Sequence, residues 1–333
     1  MRLTEHNLTK STGIGFTAAL LAAALFGSVS TIAKPVLATV DPFLLSSLVY
    51  IISAMFFSAI IALGNKTASS SQTVSSSSKR SPSYYLLLII ITTSIIGATI
   101  APAMFFFGLG QTTASDTSLL SNGETVFSII FAILFFNEKL KPLGYIAALM
   151  VLAGLVVVTT NFQFHSSLLK MNSGNLLVLG ATVLWGLDNN ICRIITYHIE
   201  IARLVQLKSV IGGGILLIFA VVFLHAPLHL EVVQLLQIIL LGVVGFGTSL
   251  YFFLSSMKRI GIVKSVLVLS FSSVFGLIFA SLLLGEPIAV HQIIAIVVMI
   301  AGVFLINIEN KKKRTNNNII TSIGEKTDSK MDD

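Results

Sequence analysis

Two groups of residues in this chain have the types and spacing to do chemistry inside apolar surroundings. Glu124, with Asn122 two residues before it, falls near the middle of one apolar run, and Asp188-Asn189-Asn190 follows Trp185-Gly186 in another. A charged side chain at mid-bilayer costs at least about 2.5–3.5 kcal/mol on insertion scales, so such a carboxylate is expected to face a partner, a cavity or the bundle interior. Glu124 is then either a proton acceptor whose charge changes between states or a carboxyl that fixes helix packing. Successive helical residues point about 100° apart, so at least one of Asp188, Asn189 and Asn190 faces a cavity or another helix. Asp188 is the candidate; the alternative is that water at the inner membrane surface solvates the whole stretch. The aromatic residues near these acids, Phe26, Phe105, Trp185 and Tyr251, either stack on a planar or cationic substrate or serve as packing.

Other chemistries lack their residues. The six histidines are scattered, and no HExxH pair or phosphate-cradling GxxxxGK[ST] loop exists. His225 and His229 have a metal-pair spacing, but Pro227 between them argues against the helix that pairing needs. Cys192 is the single cysteine, so no intramolecular disulfide or thiolate metal site can form. No cofactor, no metal and no enzymatic activity are expected.

The elements that position these residues follow from composition. The chain has 333 residues, 55% hydrophobic and 11% charged, against about 25% charged in a soluble domain. Apolar runs long enough to cross about 30 Å of hydrocarbon occur at 14-33, 43-63, 84-108, 112-136, 142-160, 174-193, 204-224, 235-256, 262-284 and 288-308. Gly108, Gly110 and Gln111 separate the third run from the fourth, and Lys258, Arg259 and Gly261 separate the eighth from the ninth. Unpaired backbone groups are costly in lipid, and the alternation of a β-barrel is absent, so the expected fold is an all-α polytopic membrane protein of ten transmembrane helices. The first run is read as retained and not as a cleaved signal, being long for an h-region of about 7–15 residues. The serine-rich segment from Thr67 to Ser83 and the basic-then-acidic tail 309-333 are expected to be disordered.

With a cytoplasmic N-terminus (1-13), every one of the 21 lysines and arginines except Lys34 and Lys170 falls on the inner side. The positive-inside rule thus puts both termini in the cytoplasm of a plasma or inner membrane protein, and the net charge of +7 reports topology and not nucleic-acid binding. Shifting residues 97-156 by 148 positions superposes them without gaps on 245-304, matching Gly97 to Gly245, Phe127 to Phe275 and Glu138 to Glu286. A shift of 159 matches Gly15, Leu25, Gly27 and Lys34 to Gly174, Leu184, Gly186 and Arg193. Two five-helix repeats, 14-160 and 174-308, joined by an outer linker 161-173, follow from these matches. An odd number of spans per repeat makes the second copy enter from the opposite side, so the repeats are inverted, a recurrent design of secondary transporters. Small residues such as Gly245 and Gly247 are expected to let helices approach closely, and Pro102 to leave a carbonyl unpaired at a packing point or hinge. Glu138 and Glu286 each precede a helix and are assigned to the scaffold, as acids that could cap its N-terminus. Asp116, at the start of the fourth span, is likewise expected to be a cap or first-turn acid.

The stretches Leu134-Phe135-Phe136-Asn137-Glu138 and Leu282-Leu283-Leu284-Gly285-Glu286, each followed by a helix carrying Ala-Gly, resemble the signature of the EamA branch of the drug/metabolite transporter superfamily. So do Leu25-Phe26-Gly27, Leu184-Trp185-Gly186 and Glu124-Thr125-Val126-Phe127, and the resemblance spans residues 14-308. It implies a central cavity lined mainly by helices 1, 3, 4, 6, 8 and 9, alternating access, and export of a small metabolite, amino acid or drug-like compound, with lipid and protons as further partners. Thr125, where members of that branch often have proline, and its counterpart Ser272-Ser273 depart from the pattern, which leaves a kink there an open question. A channel or facilitator, or a membrane-embedded sensor, is the alternative function.

Overall fold

Where water is absent, a backbone amide must find its partner within its own segment, and long apolar runs answer by forming helices. The computed structural model describes residues 2–70, 84–136, 142–160 and 172–302, with Leu305, and the regular elements among them are helical. In chain order these are α1 (Ser11–Val36), α2 (Pro42–Gly64), α3 (Tyr84–Gln111), α4 (Ala114–Phe135), α5 (Pro142–Thr160), α6 (Ser173–Ile195), α7 (Ile201–Phe223), α8 (Val232–Ile260), α9 (Ile262–Leu284) and α10 (Val290–Gly302). Among the described residues, seven of them, α1 to α4 and α7 to α9, are long and apolar enough to cross a membrane. The other three occupy the remaining expected runs; α6 carries Asp188, Asn189, Asn190 and Arg193 in its second half. Regular structure extends beyond two expected boundaries: the first helix begins at Arg2 and the helix of α2 continues to Ser70, past the Thr67 expected to open a loop. The rest of the serine-rich segment, the linker 161-171 and the tail lie outside the described residues.

The breaks fall where the sequence has polar or small residues. Gly261, at φ +83°, occupies a backbone region that suits glycine and separates α8 from α9. α4 is interrupted at Ser121-Asn122 into the half-helices Ala114–Leu120 and Gly123–Phe136, and α9 at Ser270-Phe271 into Ile262–Leu269 and Ser272–Leu284. These interruptions lie within about one residue of each other under the 148-residue shift, and no proline is needed for either. Hydroxyls add to the backbone bonding at both places, where Thr117 O and Val266 O keep their N–H donors from Ser121 and Ser270. The Ser121 hydroxyl donates to Thr117 O at 2.9 Å, and the Thr125 hydroxyl donates across to Val266 O at 3.0 Å. A π-helical turn at Ile96–Ile100 in α3 likewise corresponds to part of the π-helix Leu241–Thr248 in α8.

Packing follows the same correspondence. α4 and α9 run antiparallel across each other: Asn122 Nδ2 donates to Ser273 Oγ at 2.8 Å, the Thr125 and Ser270 hydroxyls are 2.7 Å apart, and Ser118 sits against Gly276. α1 packs on α8 and α9, while α6 packs on α3 and α4, so the first helix of each half lies against the other half. α2 and α7 face each other. Glycines make the closest approaches. A Cβ on Gly27 would lie 2.8 Å from Phe275 Cβ, and one on Gly186 would lie 2.7 Å from Phe127 Cβ, the counterpart contact. Gly245 meets Val29 at 2.9 Å and Gly247 meets Ser53 Oγ at 2.7 Å on the same measure, the close packing expected of both.

Candidate functional site

The π-turn of α3 sets up the site. Ala101 donates its N–H to Ile96 O, and Pro102 has none to give, so the Gly97 carbonyl loses both of its usual helical donors. It accepts instead from Trp185 Nε1 of α6 at 3.0 Å and from the Tyr50 hydroxyl of α2 at 3.2 Å. The missing Cβ of Gly97 leaves room for the Asp188 carboxyl, which a methyl group there would run into. Proline, glycine, tryptophan and aspartate thus form one joint between α3 and α6.

Beside that joint lies a cavity of about 50 Å³, bordered by Phe26, Tyr50, Glu124, Trp185, Lys208 and Phe246 among others. At about 10–15 Å³ per water centre it has room for a few water molecules. Aromatic rings close one side: Trp185 contacts Phe26 edge-on with centroids 5.8 Å apart and Phe105 at 5.2 Å, and Phe246 packs on Phe26, Tyr50 and Phe106 at 5.9, 5.4 and 5.6 Å.

The polar side of the cavity has two carboxylates with different partners. Asp188 pairs with Lys208 Nζ of α7 at 2.5 Å and accepts a weak bond from Cys192 Sγ at 3.5 Å. Lys208, only 1% exposed, also donates to Cys192 Sγ at 3.2 Å. Glu124, in the first turn of its half-helix, accepts from Asn189 Nδ2 at 2.7 Å, and Asn189 also reaches Ser128 Oγ at 3.1 Å. Glu124 has no cation within ion-pair distance among the described residues. The three residues at 188–190 divide as their angular spacing requires: Asp188 toward α7, Asn189 toward Glu124, and Asn190 toward the α4 backbone, where it donates to Ser128 O at 2.9 Å.

Residues 13–160 and 172–308 each match the EamA-like transporter family. The chain belongs to that family. Among its relatives is an uncharacterized transporter of Methanothermobacter thermautotrophicus, 30% identical over 215 residues, a match covering 64% of this chain and 62% of that one. An uncharacterized transporter of Clostridium kluyveri is 25% identical over 66% of this chain and 71% of its own length, and the uncharacterized transporter YoaV of Bacillus subtilis 25% identical over 60% and 68%. A crystal structure superposes with a TM-score of 0.66, covering 91% of this chain and 98% of the other at 19% identity, which shows a shared fold. The chain is an integral membrane protein of a transporter family.

In this EamA-like protein, the cavity brings together Glu124, Asp188, Asn189, Trp185 and Phe26 from the sequence-derived candidates. Phe105 supports Trp185 from behind and is fully buried. Asn122 stands apart, in a small, mostly apolar void with Ser270, Phe271, Met299 and Ile300, where its Oδ1 has no partner. Tyr251 packs on Phe57 and Phe252 and does not border the cavity. Two expectations change. Lys208, expected among the inner-side topogenic cations, is buried on a helix face in an ion pair. Glu286 does not cap the helix that follows it: its carboxylate accepts from the N–H groups of Ala114 and Ser115 at 3.0 and 2.9 Å, capping α4 from the other half of the chain. Asp116 is the first-turn acid of α4, one of the two places expected for it; Thr113 supplies the side-chain N-cap, and Asp116 accepts from Gln292 Nε2 of α10 at 2.7 Å. Glu138 lies outside the described residues.

Sequence reasoning missed Lys208, Tyr50 and Phe246. A signal existed for Lys208: it lies within the apolar run 204-224, where an unpaired cation is expensive, and Asp188 is an acid of the same kind in the neighbouring run. Tyr50 and Phe246 carry no mark distinguishing them from packing aromatics.

Proposed function

We propose that this chain is a secondary carrier whose ten spans form two oppositely threaded five-helix repeats, 14-160 and 174-308. The repeats expose the central cavity to each side of the plasma or inner membrane in turn, and the carrier exports a small metabolite, amino acid or drug-like compound. One observation carries this reading: α4 and its counterpart α9 cross antiparallel with their interruptions beside each other, next to a cavity whose walls come from both halves. Two halves of opposite orientation and similar packing can exchange shapes at little cost in energy, which alternating access requires. The reciprocal contacts of Gly27 with Phe275 and Gly186 with Phe127 supply matched sliding surfaces for that exchange. Glu124, lacking a counter-ion among the described residues, is the group that would carry a proton through the cycle, with Asn189 as its hydrogen-bond partner. Both termini and the tail 309-333 would be cytoplasmic.

The test uses a Cys192→Ala background with single cysteines placed along the α4 and α9 half-helices, labelled with a membrane-impermeant maleimide from either side of inverted and right-side-out vesicles. The carrier reading expects residues on opposite sides of the interruptions to trade accessibility when a transported compound is added, together with saturable counterflow in proteoliposomes. Unitary currents without counterflow, or labelling of positions 138 and 286 from the same side, would overturn it.

A further inference from the structure

The charges that border the central cavity do not balance. Asp188 and Lys208 satisfy one another, and Lys208 spends a second donor on Cys192. Glu124 meets an amide, not a cation, so the cavity presents one uncompensated carboxylate. Around it stand the ring faces and edges of Phe26, Tyr50, Trp185 and Phe246. The Tyr50 hydroxyl and the indole N–H are both committed to the Gly97 carbonyl, so neither is free to greet a ligand's acceptor. An anionic guest would find Lys208 already occupied and Glu124 repelling it. A cationic guest would find a carboxylate to receive its N–H bonds and a ring wall to attract its charge.

We propose that the substrate class of this site is an organic ammonium compound with a flat apolar body, its nitrogen on Glu124 and its body among the rings of Trp185, Phe26 and Phe246. This rests on the carrier reading above and goes on to name what the carrier takes. A cavity of about 50 Å³ is too small for such a guest, so entry parts the rings, and the Trp185 hydrogen bond to Gly97 ties their movement to the π-turn of α3. The guest and a proton neutralise the same carboxylate and therefore exclude one another. The charged and titratable groups facing Glu124 are Asp188 of α6, Tyr50 of α2 and Lys208 of α7. The first and third already pair with each other, which leaves the proton and the guest to compete for Glu124.

Trp185 is the only tryptophan in the chain, so intrinsic fluorescence reads the cavity directly. The experiment titrates the full-length protein in lipid nanodiscs with 2-phenylethylammonium, with its uncharged analogue 2-phenylethanol, and with 3-phenylpropionate. The ammonium is expected to change Trp185 emission saturably and to bind about tenfold or more tighter than either analogue, the margin of one charge-assisted contact. Its affinity should fall by up to about tenfold per unit as pH drops and Glu124 takes up a proton, while phenylethanol binding stays level. Glu124→Gln should abolish the preference for the ammonium; the pH series on the unsubstituted protein decides the matter if that variant does not fold. Equal or tighter binding of the alcohol or the carboxylate, no emission change with any of the three, or an ammonium preference that survives Glu124→Gln would each overturn the proposal. The vesicle-labelling experiment above is independent of these probes, so alternating accessibility without ammonium selectivity would remove the substrate class and leave the carrier.

Discussion

Glu124, Asp188 and Lys208 are all buried, yet they differ in what each can do. The Asp188–Lys208 pair is closed on itself, so removing one partner leaves an uncompensated charge. Lys208→Met is expected to lower stability by about 3–5 kcal/mol, and the double variant Asp188→Leu, Lys208→Met to recover most of that loss, since breaking a buried pair costs more than replacing it with apolar side chains. Thermal unfolding in nanodiscs checks the pattern; a double variant no better than the single one would show that the pair is needed for folding beyond its charge balance. Glu124 is expected to behave differently. Glu124→Gln should keep the fold, because Gln can still accept from Asn189, while making counterflow insensitive to pH. Undiminished counterflow with its pH dependence intact would remove Glu124 from proton coupling.

At the scale of the element, irregular helices carry the site. Pro102 takes away an N–H, the π-turn of α3 takes the Ala101 N–H to Ile96, and the Gly97 carbonyl is handed to Trp185 and Tyr50. Pro102→Ala restores a backbone donor within reach of that carbonyl. The variant is therefore expected to relax the π-turn of α3, to weaken the tie to Trp185 and to shift the emission of that tryptophan without unfolding the protein. Gly97→Ala acts on the same joint from the other side, since its methyl group would collide with the Asp188 carboxyl. A loss of about 1–3 kcal/mol, typical of overpacking, is expected from unfolding measurements, accompanied by a change in Trp185 emission. An unchanged spectrum in both variants would mean that the joint does not couple α3 to the cavity.

For the whole molecule, the organising fact is that each half holds the other. Glu286 caps α4 across 172 residues of sequence, α1 lies on α8 and α9, and α6 lies on α3 and α4. Gly27→Ala and Gly186→Ala break counterpart contacts and should therefore cost similar amounts, about 1–3 kcal/mol each. If the two contacts favour opposite states of the carrier, the two variants should bias cysteine labelling toward opposite sides of the membrane. Bias toward the same side from both would argue against a rocking exchange of two equivalent halves.

By itself, the amino-acid order determined the helical class, the placement of the apolar runs, the internal matches at shifts of 148 and 159, and the position of Glu124 and Asp188 within apolar runs. These are legible because a bilayer imposes one local rule, that a polar group in hydrocarbon must be rare and must have a reason. Partnership was decided only by the tertiary structure. Lys208 sits 20 residues from Asp188 and reads locally as a positive charge near a helix end; only the packing of α6 on its neighbours turns it into a buried counter-ion. Glu286 reads as a cap for the helix after it, yet the α3–α4 turn offers two free N–H groups closer to hand. Tyr50 and Phe246 border the cavity because of the faces their helices present, and an apolar helix in lipid has no amphipathic pattern that reveals its inward face. Hydropathy records whether a segment enters the membrane, while the contacts that make a site depend on how the segments turn toward one another.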